Sequence, residues 1–123
     1  MDYITKALLR DCSRPDAFCF SLRCGECGEV WKSRHVRFSR AGIAPRTPGK
    51  RVVYDALYQR EKEAALLRAV RQAEERFSQC PICRRVVCDS CFLVCDDLDM
   101  CVACARKLQE PGEPVARRKK QRT

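Results

Sequence analysis

A small α+β domain, held by bound metal more than by a large apolar core, is what three features of this sequence predict. Cysteines recur as four Cys-x-x-Cys pairs, Cys24/Cys27, Cys80/Cys83, Cys88/Cys91 and Cys101/Cys104. The chain has only 123 residues, and its last stretch is built from prolines, a glycine and basic residues with nothing to bury. Finally, the apolar pattern is alternating before the first pair and helical between the first and second. The expected architecture is two zinc knuckle sites with short β-hairpins and one long amphipathic helix.

The cysteine pairs carry the strongest signal. Two intervening residues let both thiolates turn toward one ion, and eight sulfurs fill two four-sulfur shells with the spacing typical of structural zinc. Cys24, Cys27, Cys80, Cys83, Cys88, Cys91, Cys101 and Cys104 are therefore the expected ligands of two structural Zn²⁺ ions. Gly28 follows Cys27 directly, where a knuckle often needs positive φ. The remaining cysteines, Cys12, Cys19 and Cys95, read as small buried apolar residues, a weaker third metal site being the alternative.

Which pairs share an ion is open at this stage. Sequential pairing joins Cys24/Cys27 with Cys80/Cys83 and Cys88/Cys91 with Cys101/Cys104, and it is favoured because the second site then closes a short loop. A cross-brace, in which alternate pairs combine, is the alternative, since closure entropy grows only slowly with loop length.

Along the chain, Tyr3, Ile4, Ala7 and Leu8 have helical spacing, and Phe18, Phe20 and Leu22 alternate as a strand, so residues 1–23 are expected to form a helix and a strand. Residues 24–109 form the two-zinc domain, with an inserted basic arm (31–54) and a helix (55–78) capped by Asp55 and apolar at Leu66, Leu67, Val70, Ala73 and Phe77. Val30 to Phe38 is the expected return strand of a hairpin. Residues 110–123 are expected to be a disordered basic tail.

The formal charge of +9 counts the cysteines as neutral; eight thiolates and two dications would lower it by four, to about +5. Its placement matters more than its sum. No acidic residue lies between Glu29 and Asp55, whereas residues 86–105 hold four aspartates and no lysine or arginine. Lys32, Arg34, Arg37, Arg40, Arg46, Lys50 and Arg51, with Arg117, Arg118, Lys119 and Lys120 of the tail, are candidate contacts to nucleic-acid phosphates. Trp31 and Phe38 are the candidate stacking platforms, their plainer role being to pack the hairpin. The other candidate partner is an acidic protein, for which the zinc sites would scaffold a docking surface.

Arg23-Cys-Gly-Glu-Cys-Gly28 and Gln79-Cys-Pro-Ile-Cys83, with Cys88-Asp-Ser-Cys91 and Cys101-Val-Ala-Cys104, resemble the knuckles of small bacterial tandem zinc-ribbon, treble-clef-like proteins. The resemblance implies a metal-binding fold and is much less specific for a biological role. The four-residue gap between Cys83 and Cys88 is similar to FYVE-type double-zinc fingers. The basic, histidine-containing stretch of that family is here Glu75-Arg-Phe-Ser-Gln79, so phosphoinositide recognition is not implied.

Catalysis is not expected. Four-sulfur shells leave no open coordination position, and the only histidine, His35, lies in the basic arm and reads as a surface or strand residue. Cys80-Pro-Ile-Cys83 has a redox-like order but lacks a surrounding βαβ pattern. The N-terminus has no apolar run for a signal peptide or membrane span, so a cytoplasmic protein without membrane association or a small-molecule substrate is expected.

Overall fold

The computed structural model describes residues 4–121. In chain order its strands and helices are β1 (Arg10–Asp11), β2 (Ala17–Phe18), β3 (Phe20–Arg23), β4 (Val30–Lys32), β5 (Val36–Arg37), α1 (Pro48–Glu74), β6 (Phe77–Gln79), β7 (Val86–Cys88), β8 (Phe92–Val94), β9 (Met100–Cys101), α2 (Val102–Leu108), β10 (Glu113–Pro114) and α3 (Val115–Gln121). The chain divides into two compact units. Among the described residues, one holds Ile4, Arg23–Trp31 and residues 74–121; the other holds Thr5–Leu22 and Lys32–Ala73.

The unit containing α1 is organised by aromatic rings. β1 pairs antiparallel with β3 (Asp11 opposite Phe20), and β2 with β5 (Phe18 opposite Val36). These pairings bury Phe18 and Phe38 completely, and their rings meet edge-on 5.9 Å apart. Tyr54 and Tyr58, one helical turn apart on α1, each place a ring 5.2 Å from Phe38. Ala65, Ala69 and Ala73 continue the buried stripe, again at four-residue spacing.

α1 begins seven residues before the expected Asp55. The Thr47 hydroxyl accepts from the Lys50 N–H at 3.1 Å, and Pro48 occupies the first helical position, where its missing N–H costs nothing. Asp55 instead pairs with Arg51, one turn earlier. The helix also stops before Phe77, which is buried in β6. The expected apolar face is therefore shifted: Ala73 is buried, but Leu67 is exposed.

The N-terminal helix is reduced to a 3₁₀ turn, Lys6–Leu8; Tyr3 lies outside the described residues. So short a segment does not sustain helix against the antiparallel ladder that β1 finds on β3. The expected return strand is divided into β4 and β5 around Ser33, whose buried hydroxyl accepts from the Phe20 N–H at 2.9 Å.

In the cysteine-bearing unit, β6 and β7 form a hairpin whose turn is the Cys80–Cys83 knuckle. β8 pairs with β9 on one side and with β10 on the other, and β9 runs directly into α2. Val87, Phe77, Met100 and Ala105 form the small apolar core alongside buried sulfurs. The segment expected to be a disordered tail instead contributes β10 and α3. Glu113 and Pro114 lie opposite Val94 and Leu93, and Gly112 approaches so closely that an added Cβ would stand 2.9 Å from Leu93 Cβ. Composition alone hid this because the pairing uses main-chain groups, to which composition is blind.

Candidate metal centres

The first knuckle is built by two main-chain hydrogen bonds: Cys24 N–H donates to Glu29 O at 2.9 Å, and Gly28 N–H to Cys24 O at 3.1 Å. The second repeats them, Cys80 N–H to Arg85 O and Arg84 N–H to Cys80 O, both at 2.9 Å. The residue after the second cysteine has positive φ in each, +76° at Gly28 and +67° at Arg84. Glycine adopts this backbone freely; arginine does so at a steric cost.

The eight predicted ligands come together as two groups of four. Cys24, Cys27, Cys88 and Cys91 form one, and Cys80, Cys83, Cys101 and Cys104 the other, with the sulfurs of each group within 4.8 Å of one another. The pairing is therefore the cross-brace, and the favoured sequential pairing is corrected. Phe92 lies opposite Cys101 in the β8–β9 ladder, and Val102 N–H donates to Cys91 O at 2.8 Å, extending it. Cys91, one residue before β8, therefore stands beside Val102 rather than opposite Cys101, and its sulfur groups with those of Cys24, Cys27 and Cys88. The first knuckle instead lies beside β7, with Gly25 N–H donating to Val86 O at 2.9 Å and Cys88 N–H to Cys24 Sγ at 3.3 Å.

The spacing fits a metal. Sulfur–sulfur distances are 3.8 Å for Cys27–Cys88, 3.8 Å for Cys80–Cys104 and 3.7 Å for Cys83–Cys101. A tetrahedral ion with metal–sulfur bonds of about 2.3 Å has edges of about 3.8 Å. The electrostatics agree. Burial pushes the Cys24 thiol up, but the N–H groups of Cys88, Cys27 and Glu26 aimed at its sulfur bring it down to about 6. Arg85 brings Cys83 to about 6. Burial, followed by the neighbouring sulfurs, pushes Cys104 up to about 12 and raises Cys91 strongly. Four thiolates so close repel unless a cation sits among them, as expected of a donor set shaped for a dication.

Arg85 contacts both sulfur groups' surroundings and was not among the residues expected at the site. Its guanidinium donates to Gly25 O at 2.6 Å and to Glu26 Oε2 at 2.7 Å, and approaches Cys101 Sγ at 3.7 Å. A basic residue in the spacer between Cys83 and Cys88 was the available signal. Cys12, Cys19 and Cys95 join neither group, and of the three only Cys19 is buried as expected: Cys12 is exposed, its thiol 3.3 Å from Ser21 Oγ, and Cys95 is half-buried, its N–H donating to Asp99. His35 is exposed.

The candidate nucleic-acid residues divide between the two units. Trp31 and the α3 residues Arg117, Arg118 and Lys119 belong to the unit with the cysteines; Lys32, Arg34, Arg37, Phe38, Arg40, Arg46, Lys50 and Arg51 belong to the other. The side chain of Lys120 is outside the described residues. Phe38 has no exposed surface, so it cannot stack on a base, and this expectation is corrected. Trp31 is half-buried, edge-on to Phe77 at 6.1 Å. Lys119 is engaged by Asp89 at 2.7 Å. Lys32, Arg34, Arg37, Arg40, Arg46 and Lys50 are exposed and make no salt bridge among the described residues.

No helix among the described residues is long and apolar enough to cross a membrane. Compared with known proteins, the chain matches no family model, no curated protein and no solved structure.

Proposed function

We propose that this chain is a non-enzymatic interaction module in which two structural zinc ions hold the cysteine-bearing unit and the basic surface binds an anionic macromolecule. The observation that carries the metal reading is the pair of four-sulfur groups whose edges match a tetrahedral site. Zinc would supply folding energy, about 10–16 kcal/mol per structural site in small peptides at neutral pH. A four-sulfur shell has no position for substrate or water, which supports a structural role over catalysis. Tandem zinc-ribbon-like ancestry is compatible with the two knuckles, although the pairing interleaves them.

Metal analysis with X-ray absorption tests this. Two zinc ions per chain in all-sulfur shells are expected. One ion, a nitrogen- and oxygen-rich shell, or the coloured spectrum of iron–thiolate would overturn the assignment.

For the partner, six exposed cations that make no salt bridge among the described residues favour an anionic surface. With Phe38 buried and Trp31 packed on Phe77, the expected base-stacking platforms are largely spent inside the fold, which favours an acidic protein over single-stranded nucleic acid. Phosphate contacts alone would still give nucleic-acid binding whose affinity falls with salt, by a slope of about 0.7 per contact.

A further inference from the structure

A cavity of about 350 Å³ opens beside the first turns of α1, lined by Arg40, Arg46 and Lys50 together with Ile43, Val53 and Leu57. No carboxylate is among its lining residues. Ile43 is 55% exposed and Val53 59%, unusually open for aliphatic side chains grouped around one recess. The three cations make no salt bridge among the described residues. Glu61, whose carboxylate feels Arg40, is itself engaged by the N–H and hydroxyl of Ser39.

We infer that this recess is a docking site for an acidic peptide segment that inserts one aliphatic or aromatic side chain between Ile43, Val53 and Leu57, its flanking carboxylates meeting Arg40, Arg46 and Lys50. The inference rests on the proposed reading of the basic surface and names its partner chemistry. Charge complementarity selects an anion, and the aliphatic lining selects what the anion must carry. A nucleobase there would lose water from its polar edge without gaining a donor or acceptor from Ile43, Val53 or Leu57. Nor is Tyr54, the aromatic of the lining, free to stack: its ring meets Phe38 at 5.2 Å, and the Arg51 guanidinium lies 5.8 Å from its centroid. A concave site suits a single protruding anchor flanked by charges, the arrangement in which a few buried contacts dominate affinity.

The test is selection of a random peptide display library on the zinc-loaded full chain, followed by direct titration of a synthesised winner. Enriched peptides should combine Asp or Glu with Leu, Ile or Phe. Val53→Asp and Arg46→Glu should each weaken the winner by about tenfold or more. Lys50→Glu should weaken it as well while leaving the melting temperature unchanged or higher, because it puts an acidic residue in the first turn of α1; this separates lost binding from lost folding. The site is overturned if wild type enriches nothing beyond Arg46→Glu, or if the winners bind all three variants equally. It is also overturned if a thymidine 20-mer or phosphatidylserine vesicles bind more tightly at the same salt and lose binding in Val53→Asp. Two bound zinc ions with no pocket-dependent peptide would sink this inference alone; a wrong metal count would sink the zinc reading alone.

Discussion

The Arg85 guanidinium reaches the Glu26 carboxylate at 2.7 Å while lying 3.7 Å from Cys101 Sγ, so one side chain touches the first knuckle and a ligand of the second sulfur group. Glu26 sits between Cys24 and Cys27 of the other group. The two centres are thus tied by an interaction outside either shell, of the kind that orients ligands and tunes a metal site.

Arg85→Ala should leave both centres able to fill, since it removes no ligand, but should speed loss of zinc from the Cys80/Cys83/Cys101/Cys104 centre. Arg85→Lys should fall between, because lysine keeps the charge and loses the fork that spans two acceptors. Stopped-flow transfer of zinc to a chelator reads both rates. Equal rates in all three proteins would show that the contact does not couple the centres.

The interleaved pairing makes a ligand-by-ligand demand. Cys24→Ser and Cys88→Ser should remove the same resonance from the NMR spectrum of cadmium-loaded protein, and Cys80→Ser and Cys101→Ser should remove the other. If Cys24→Ser and Cys80→Ser perturb one common resonance, the pairing is sequential and the assignment here is wrong.

Knuckle backbones predict opposite responses to glycine. Gly28→Ala should destabilise by about 1–2 kcal/mol, a purely conformational penalty because an added Cβ would meet no other group within 4 Å. Arg84→Gly should stabilise by about 0.5–1 kcal/mol, the relieved strain exceeding the added chain entropy of the unfolded state. Chemical denaturation at saturating zinc measures both.

The two candidate aromatic platforms separate by burial. Phe38→Ala should cost about 3–5 kcal/mol, the range for emptying a closed aromatic site. Trp31→Ala, half-buried on Phe77, should cost about 1–2 kcal/mol. Denaturant midpoints with unchanged slopes decide it; equal small losses would mean that Phe38 is not core.

The sequence was legible where the chemistry is local. A Cys-x-x-Cys turn closes through residues within and just after it, so the eight cysteines that group in fours and the positive φ after Cys27 could be read directly. Phe18, Phe20 and Leu22 are buried as expected, but so are Cys19 and Ser21 between them, and the single expected strand is divided into β2 and β3; the long helix was announced by its period. Its start was also written there: Thr47-Pro48 is a capping sequence, masked by the glycines and prolines that surround it.

The eight cysteines that group in fours, the α+β class and the uneven charge were thus readable from the residues alone. Only the tertiary structure decided which knuckles share a centre, that Phe38 belongs to the core, that Arg85 bridges the centres, and that residues beyond Glu110 add a strand and a helix. The reason is physical. Loop-closure entropy changes slowly with chain length and discriminates weakly between pairings, whereas the contacts of the first knuckle with β7 bring Cys24 beside Cys88, a constraint that exists only once the chain has folded.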